Sequence, residues 1–60
     1  MYLFEAHYIN MVNDEEISKK IEFDEQFFET EKEIYLYAMS KAYDIRDEHE
    51  LISSLEFISC

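Results

Sequence analysis

Alternation dominates the first stretch of this chain. Tyr2, Phe4, Ala6, Tyr8, Asn10 and Val12 occupy every second position of residues 2–12, which is the period of a strand with one buried face. A second alternating set follows, in which Ile17, Lys19, Ile21 and Phe23 interleave with Glu16, Ser18, Lys20 and Glu22. The polar stretch Asn13-Asp14-Glu15-Glu16 between them predicts a hairpin. If Val12 pairs with Ile17 across a four-residue loop, Tyr8 falls opposite Ile21 and Ala6 opposite Phe23. A two-residue Asn13-Asp14 turn moves the pairs but keeps the same faces together, because the parity is unchanged.

Residues 24–29 are acidic and carry Phe27 and Phe28, the pattern of an irregular crossing whose aromatics cap a core. Thr30-x-x-Glu33 then fits a capping box, and Glu31 and Glu33 also favour the positive end of a helix dipole. Ile34, Ala38, Met39, Ala42 and Ile45 share one face at helical spacing, with Tyr35 at its edge, so a helix is predicted over residues 31–49. Residues 51–60 read as a strand, with Leu51, Leu55 and Phe57 on one face and Ile52 and Ile58 on the other.

The order strand, strand, helix, strand describes a single α+β domain over residues 1–60. A right-handed crossover that returns the last strand beside the first gives a three-stranded antiparallel sheet of order 2-1-3, with one long helix packed on one face. One helix leaves the other face uncovered. That face is expected to carry Leu3, Ile9, Met11, Ile52 and Ile58 among Glu5, His7, Ser54 and Glu56. Hydrophobic gain and conformational cost nearly cancel in a chain of this size, and its single cysteine rules out an internal disulfide. Self-association is the remaining way to add stability. The expectation is therefore a homodimer or higher oligomer joined through Leu3, Ile9, Ile52 and Ile58.

Composition narrows the functions. There is no glycine and no proline, so loops that cradle phosphates or present a strained nucleophile have no residue on which to turn. A hydrophobic share of 48% and an aromatic share of 17% argue for a folded domain. The longest uninterrupted apolar run, residues 34–39, is far too short for a membrane span. No basic and apolar leader opens the sequence, which points to a soluble cytoplasmic protein.

Candidate chemistry is thin. His7 and His49 have no cysteine partner at zinc spacing and no His-x-x-x-His pattern, so neither metal nor cofactor is expected. Cys60 lacks a cationic neighbourhood that would activate its thiol, and Ser53 and Ser54 lack a nucleophile-elbow context. Carboxylate pairs are so abundant that none is singled out, and so small a sheet-plus-helix domain has little room for the cleft in which two acids could be set apart. Catalytic residues are accordingly expected to be none. The chain reads as a non-enzyme.

Charge is the strongest signal. Fifteen acidic residues against five basic ones give a net charge of −10, which repels nucleic acid and anionic lipid and attracts basic protein surfaces. One acidic cluster runs through Glu22, Asp24, Glu25, Glu29, Glu31 and Glu33, and another through Asp44, Asp47, Glu48 and Glu50. Acids in a last helical turn oppose the dipole, so helix stability does not account for the second cluster. On a helical projection Glu33, Tyr37, Ser40, Asp44, Asp47 and Glu48 lie away from the core stripe, with Leu36 and Tyr43 forming a smaller patch beside them. Tyr35, Tyr37 and Tyr43 are candidate anchors. Residues 33–48 would span about 22 Å of helix. Duplex DNA places about 13 charges in that length, against the four carboxylates of Glu33, Asp44, Asp47 and Glu48. A dimer that also used the first acidic cluster would come closer to imitating nucleic acid.

In length, acidity, aromatic content and its single sheet-plus-helix domain, carried by residues 2–8, 17–23 and 34–43, the chain resembles the small acidic proteins of phages and mobile elements. Anti-CRISPR and other anti-defence inhibitors are found among them. The resemblance is one of class and assigns no residue a role. It implies an inhibitor or adaptor that docks on a basic protein surface such as one that holds nucleic acid, and the charge pattern, not the resemblance, places the contact at Glu33, Tyr37, Tyr43, Asp44, Asp47 and Glu48. The alternative from a different class is a homo-oligomeric structural or ligand-sequestering protein that uses the uncovered sheet face.

Overall fold

The computed structural model describes residues 1–59, so Cys60 and the reading of its thiol lie outside the described residues. The elements are β1 (Tyr2–Asn10), β2 (Glu16–Phe23), α1 (Glu31–Asp44) and β3 (Glu50–Ser59). The three strands form one sheet of order β2-β1-β3, with both pairings antiparallel. This is the α+β arrangement and the sheet order that the order of elements and a right-handed crossover predict. The central strand supplies Phe4, Ala6 and Tyr8 to the core, which Ile21 and Phe23 complete from β2 and Ala38 and Ala42 from the helix. Alanine at both buried helical positions brings the helix backbone close to the sheet. That approach lets the Tyr8 hydroxyl donate to the Ala42 carbonyl at 2.8 Å.

The β1–β2 hairpin keeps the predicted faces but not the predicted pairs. Tyr2 lies opposite Phe23, Phe4 opposite Ile21 and Tyr8 opposite Ile17. The loop therefore begins earlier than alternation suggests. Asn10 ends β1, and its amide donates to the Glu15 carbonyl at 2.8 Å, while the Asp14 amide donates back to Asn10 at 2.8 Å. The side-chain carbonyls of Asn10 and Asn13 accept from the amides of Val12 and Glu15, and Asp14 takes a φ of 58°, a left-handed conformation that aspartate tolerates. Local asparagine bonds thus outcompete one more turn of strand. Val12, which the alternation places in the strand, is left 72% exposed.

β3 corrects the sequence reading in a second way. Two register shifts interrupt its pairing with β1, one between Leu3 and Phe4 and one between His7 and Tyr8. At the second, Ser54 lies opposite His7 and Ile52 opposite Tyr8, so Ser53 is the extra residue. One extra residue exchanges the faces of everything beyond it. Ile52 consequently turns inward and packs on the core, while Leu51 joins Ile9 on the open face. The placement of Ile52 in an outward interface is thereby overturned. Ile58 is the extra residue at the first shift, between Phe57 opposite Phe4 and Ser59 opposite Leu3.

The helix starts where the capping box predicts. Thr30 accepts from the Glu33 amide at 3.2 Å, and the Glu33 carboxylate accepts from the Glu29 amide at 2.7 Å. It ends at Asp44, five residues before the expected 49. Beyond Ile45 the chain wraps around the Glu50 side chain, whose carboxylate accepts from the Asp47 amide at 2.9 Å. Arg46 donates to the Glu50 carbonyl at 3.1 Å, and Lys19 to the Ile45 carbonyl at 2.9 Å. Carbonyls that a helix end leaves unpaired are thus met by Tyr8 and Lys19, side chains of two different strands.

Tyr8→Phe should cost about 1–2 kcal/mol in chemical denaturation, because it leaves the Ala42 carbonyl without its buried donor. Val12→Ser, in the exposed loop, should leave the midpoint unchanged.

Candidate functional site

Twelve of the fifteen acidic side chains are exposed; Glu5 and Glu25 are half-buried and Glu50 alone is buried. Basic residues do little to neutralise them. Among the described residues the single lysine or arginine ion pair is Lys19 with Glu50, at 2.8 Å. Lys41 lies over the Tyr37 ring at 5.1 Å, and Arg46 lies over Tyr43 at 5.8 Å while donating to main-chain carbonyls. Three of the five cations, Lys19, Lys41 and Arg46, are therefore engaged in contacts of the fold itself. The acidic surface keeps nearly all of its charge.

Glu50 is the exception that the sequence concealed. It reads there as one more acid beyond the helix, yet it is 3% exposed and buried beside Lys19. The Asp47 amide and then the Lys19 ammonium hold its carboxyl below the ordinary carboxylate range. Its hydrogen bond with Glu50 raises Lys19 above the ordinary 10.5, and burial raises the Tyr8 phenol. A signal did exist in the alternation. Lys19 occupies an inward position of β2 between Ile17 and Ile21, and an inward lysine requires a carboxylate partner.

The structure divides the expected docking face. Glu33 and Asp44 are exposed on the helix, with Leu36 at 55% and Tyr43 at 57% exposure on its outward side. Asp47 and Glu48 are exposed too, but they belong to the turn that follows the helix. Tyr37 does not belong to this face. Residues 24–29 fold over that side of the helix, so the Tyr37 ring packs on Phe23 at 4.8 Å and on Phe28 at 5.2 Å. Its hydroxyl donates to Glu25 at 2.9 Å, a bond that lowers the Glu25 carboxyl and raises the Tyr37 phenol. Tyr37 is a structural residue, half-buried where an exposed anchor was expected.

On the open sheet face Leu51 takes the place expected for Ile52. Leu3, beside Ser59, and Ile9, beside Leu51, lie towards opposite ends of β1. Between them stand the rows Lys20-Glu5-Glu56 and Ser18-His7-Ser54. His7 Nε2 is 3.4 Å from a carboxylate oxygen of each of Glu5 and Glu56. The second histidine, His49, pairs with Glu48 at 3.3 Å.

A third surface feature was not legible in the sequence. Between the first half of the helix and β3 runs an apolar groove of about 710 Å³, lined by Tyr2, Phe4, Ile34, Tyr35 and Phe57 with Glu31 and Lys32 at its margin. It exists because the small helix residues lie over the central strand and leave the edge strand partly uncovered. No helix is long and apolar enough to cross a membrane among the described residues. Comparison of the chain with protein-family models, curated proteins and solved structures gives no match.

The internal ion pair predicts the pH response. A depressed Glu50 pKa contributes stability that is present above the ordinary carboxylate range and is lost as pH falls through the lowered value. The raised Lys19 pKa contributes stability that is full below 10.5 and is lost as pH rises through the folded value. Thermal midpoints measured across pH should therefore fall on both the acid and the alkaline side. Glu50→Gln should lower the neutral plateau and flatten both limbs. Unchanged limbs would separate the pair from the pH response.

Proposed function

We propose that this chain is a non-enzymatic binding protein, an inhibitor or adaptor, that docks on a basic protein surface of the kind that holds nucleic acid. One observation carries this reading: among the described residues the exposed carboxylates have no lysine or arginine ion-pair partner, while three of the five cations are held by contacts to Glu50, to aromatic rings or to main-chain carbonyls. Such a surface presents an undiluted negative field, which speeds encounter with a positive patch and rejects polyanions. The docking face comprises Glu33, Leu36, Tyr43 and Asp44 on the helix, continued by Asp47 and Glu48 in the turn. Arg46 stacks on Tyr43 and steadies that ring, so the anchor loses less side-chain freedom on binding. The class resemblance to phage anti-defence inhibitors agrees with this reading.

Oligomerisation through the open sheet has less behind it. Ile52 packs inward with Leu51 in its place, and polar rows separate Leu3 from Ile9 and Leu51.

Pull-down from the source cell followed by mass spectrometry identifies the partner, and variants then test the face. Lysine at Asp44, Asp47 and Glu48 together should slow association, remove most of its salt dependence and leave the fold intact. Tyr43→Ala should cost about 2 kcal/mol of affinity, chiefly through faster dissociation. A triple variant that binds with unchanged affinity and salt slope would remove this face from the proposal.

A further inference from the structure

We propose that Glu5, His7 and Glu56, on the open face of the sheet, form a binding site for a divalent transition-metal ion of the zinc class. This proposal is independent of the docking reading. The sequence offered no zinc spacing, but strand pairing supplies what spacing lacks. Glu5 and His7 stand two residues apart in β1 and so share a face. The β1–β3 register places Glu56 directly across from Glu5.

The distances suit ligands around an ion. His7 Nε2 lies 3.4 Å from a carboxylate oxygen of Glu5 and 3.4 Å from one of Glu56. All three ligand atoms lie within 4.8 Å of one another. Both contacts exceed the usual length of an N–H···O hydrogen bond, about 2.7–3.2 Å, and one ring nitrogen has one proton to give. Ligands held about 2.0–2.1 Å from a tetrahedral ion stand about 3.3 Å apart. The imidazole nitrogen is thus spaced from both carboxylates as a co-ligand would be.

Charge and access agree. Like charges directly opposite one another across a sheet are destabilising, and Glu5 faces Glu56 in that way. Lys20 lies across from Glu5 on the other side, but no ion pair between them is present among the described residues. A divalent cation between the two carboxylates would remove the repulsion. Glu56 is exposed and Glu5 and His7 are half-buried, so water can reach the three groups to complete the coordination. One imidazole and two carboxylates suit zinc and its neighbours better than magnesium or calcium, which prefer oxygen alone. The pair of His49 and Glu48 brings only two ligand groups and serves as an internal control.

The test is titration of the full chain with zinc chloride, followed by calorimetry and by the histidine ring resonances, in a Cys60→Ser background that removes the thiol as a competing ligand. One equivalent should bind, with the His7 ring shifting and the His49 ring unmoved. His7→Gln and Glu56→Gln should each weaken binding at least tenfold, and His49→Gln should not. Equimolar magnesium should not compete. Absence of binding at millimolar zinc, tight binding retained in His7→Gln, or equal loss in His49→Gln would overturn the site. The ring resonances of the His7-containing protein decide the matter even if a variant folds poorly.

Discussion

The partly buried contact of Lys19 with Glu50 ties together parts of the chain that are far apart in sequence. Lys19 projects inward from an edge strand, lies 4.9 Å above the Tyr8 ring, and reaches both the Ile45 carbonyl and the Glu50 carboxylate. Glu50 in turn accepts from the Asp47 amide and opens β3. The two charges thus fix where the helix stops, how the chain turns after it and where the last strand begins. Without glycine or proline to punctuate the chain, a partly buried ion pair and its surrounding hydrogen bonds set these boundaries. Such a pair adds little net stability compared with apolar packing, yet removal of Lys19 leaves the buried Glu50 carboxylate without its cation.

The same economy shapes the surface. Each cation spent on the interior or laid across an aromatic ring is one fewer to neutralise the exposed carboxylates. At the opposite end of the sheet the fold relies on rings instead: Tyr2, Phe23, Phe28 and Tyr37 pack edge to face or tilted, with centroids 4.8–5.8 Å apart. A core divided between one polar knot and one aromatic cluster leaves the helix's outward side free of structural duty. That freedom is the physical basis for reading its acids and Tyr43 as a docking face.

Much of this was legible in the residues themselves. Period-two alternation identified the inward faces of β1 and β2, because parity survives any even change in loop length. The Thr30-x-x-Glu33 box located the helix start. Register was not legible, since alternation fixes parity alone and the local bonds of Asn10 and Asn13 decide where the loop begins. The bulge at Ser53 was hidden as well, having no glycine to mark it, and it exchanged Leu51 with Ile52. Tyr37 was misplaced because helical projection knows nothing of residues 24–29 folding across one side. The joining of His7 to Glu56 depends on β3 register, which local pattern does not contain.

The central claim, that the fold engages most of its cations and leaves the exposed carboxylates among the described residues without lysine or arginine partners, can be measured without any partner. Urea denaturation at neutral pH should be compared between about 10 mM and about 1 M sodium chloride, over which the screening length falls from about 30 Å to about 3 Å. The account predicts that the midpoint rises with salt, because screening relieves repulsion among the many exposed acids, which outweighs any weakening of the single, partly buried Lys19–Glu50 pair. A midpoint that falls with salt would mean that surface ion pairs hold the protein together, and would contradict the account.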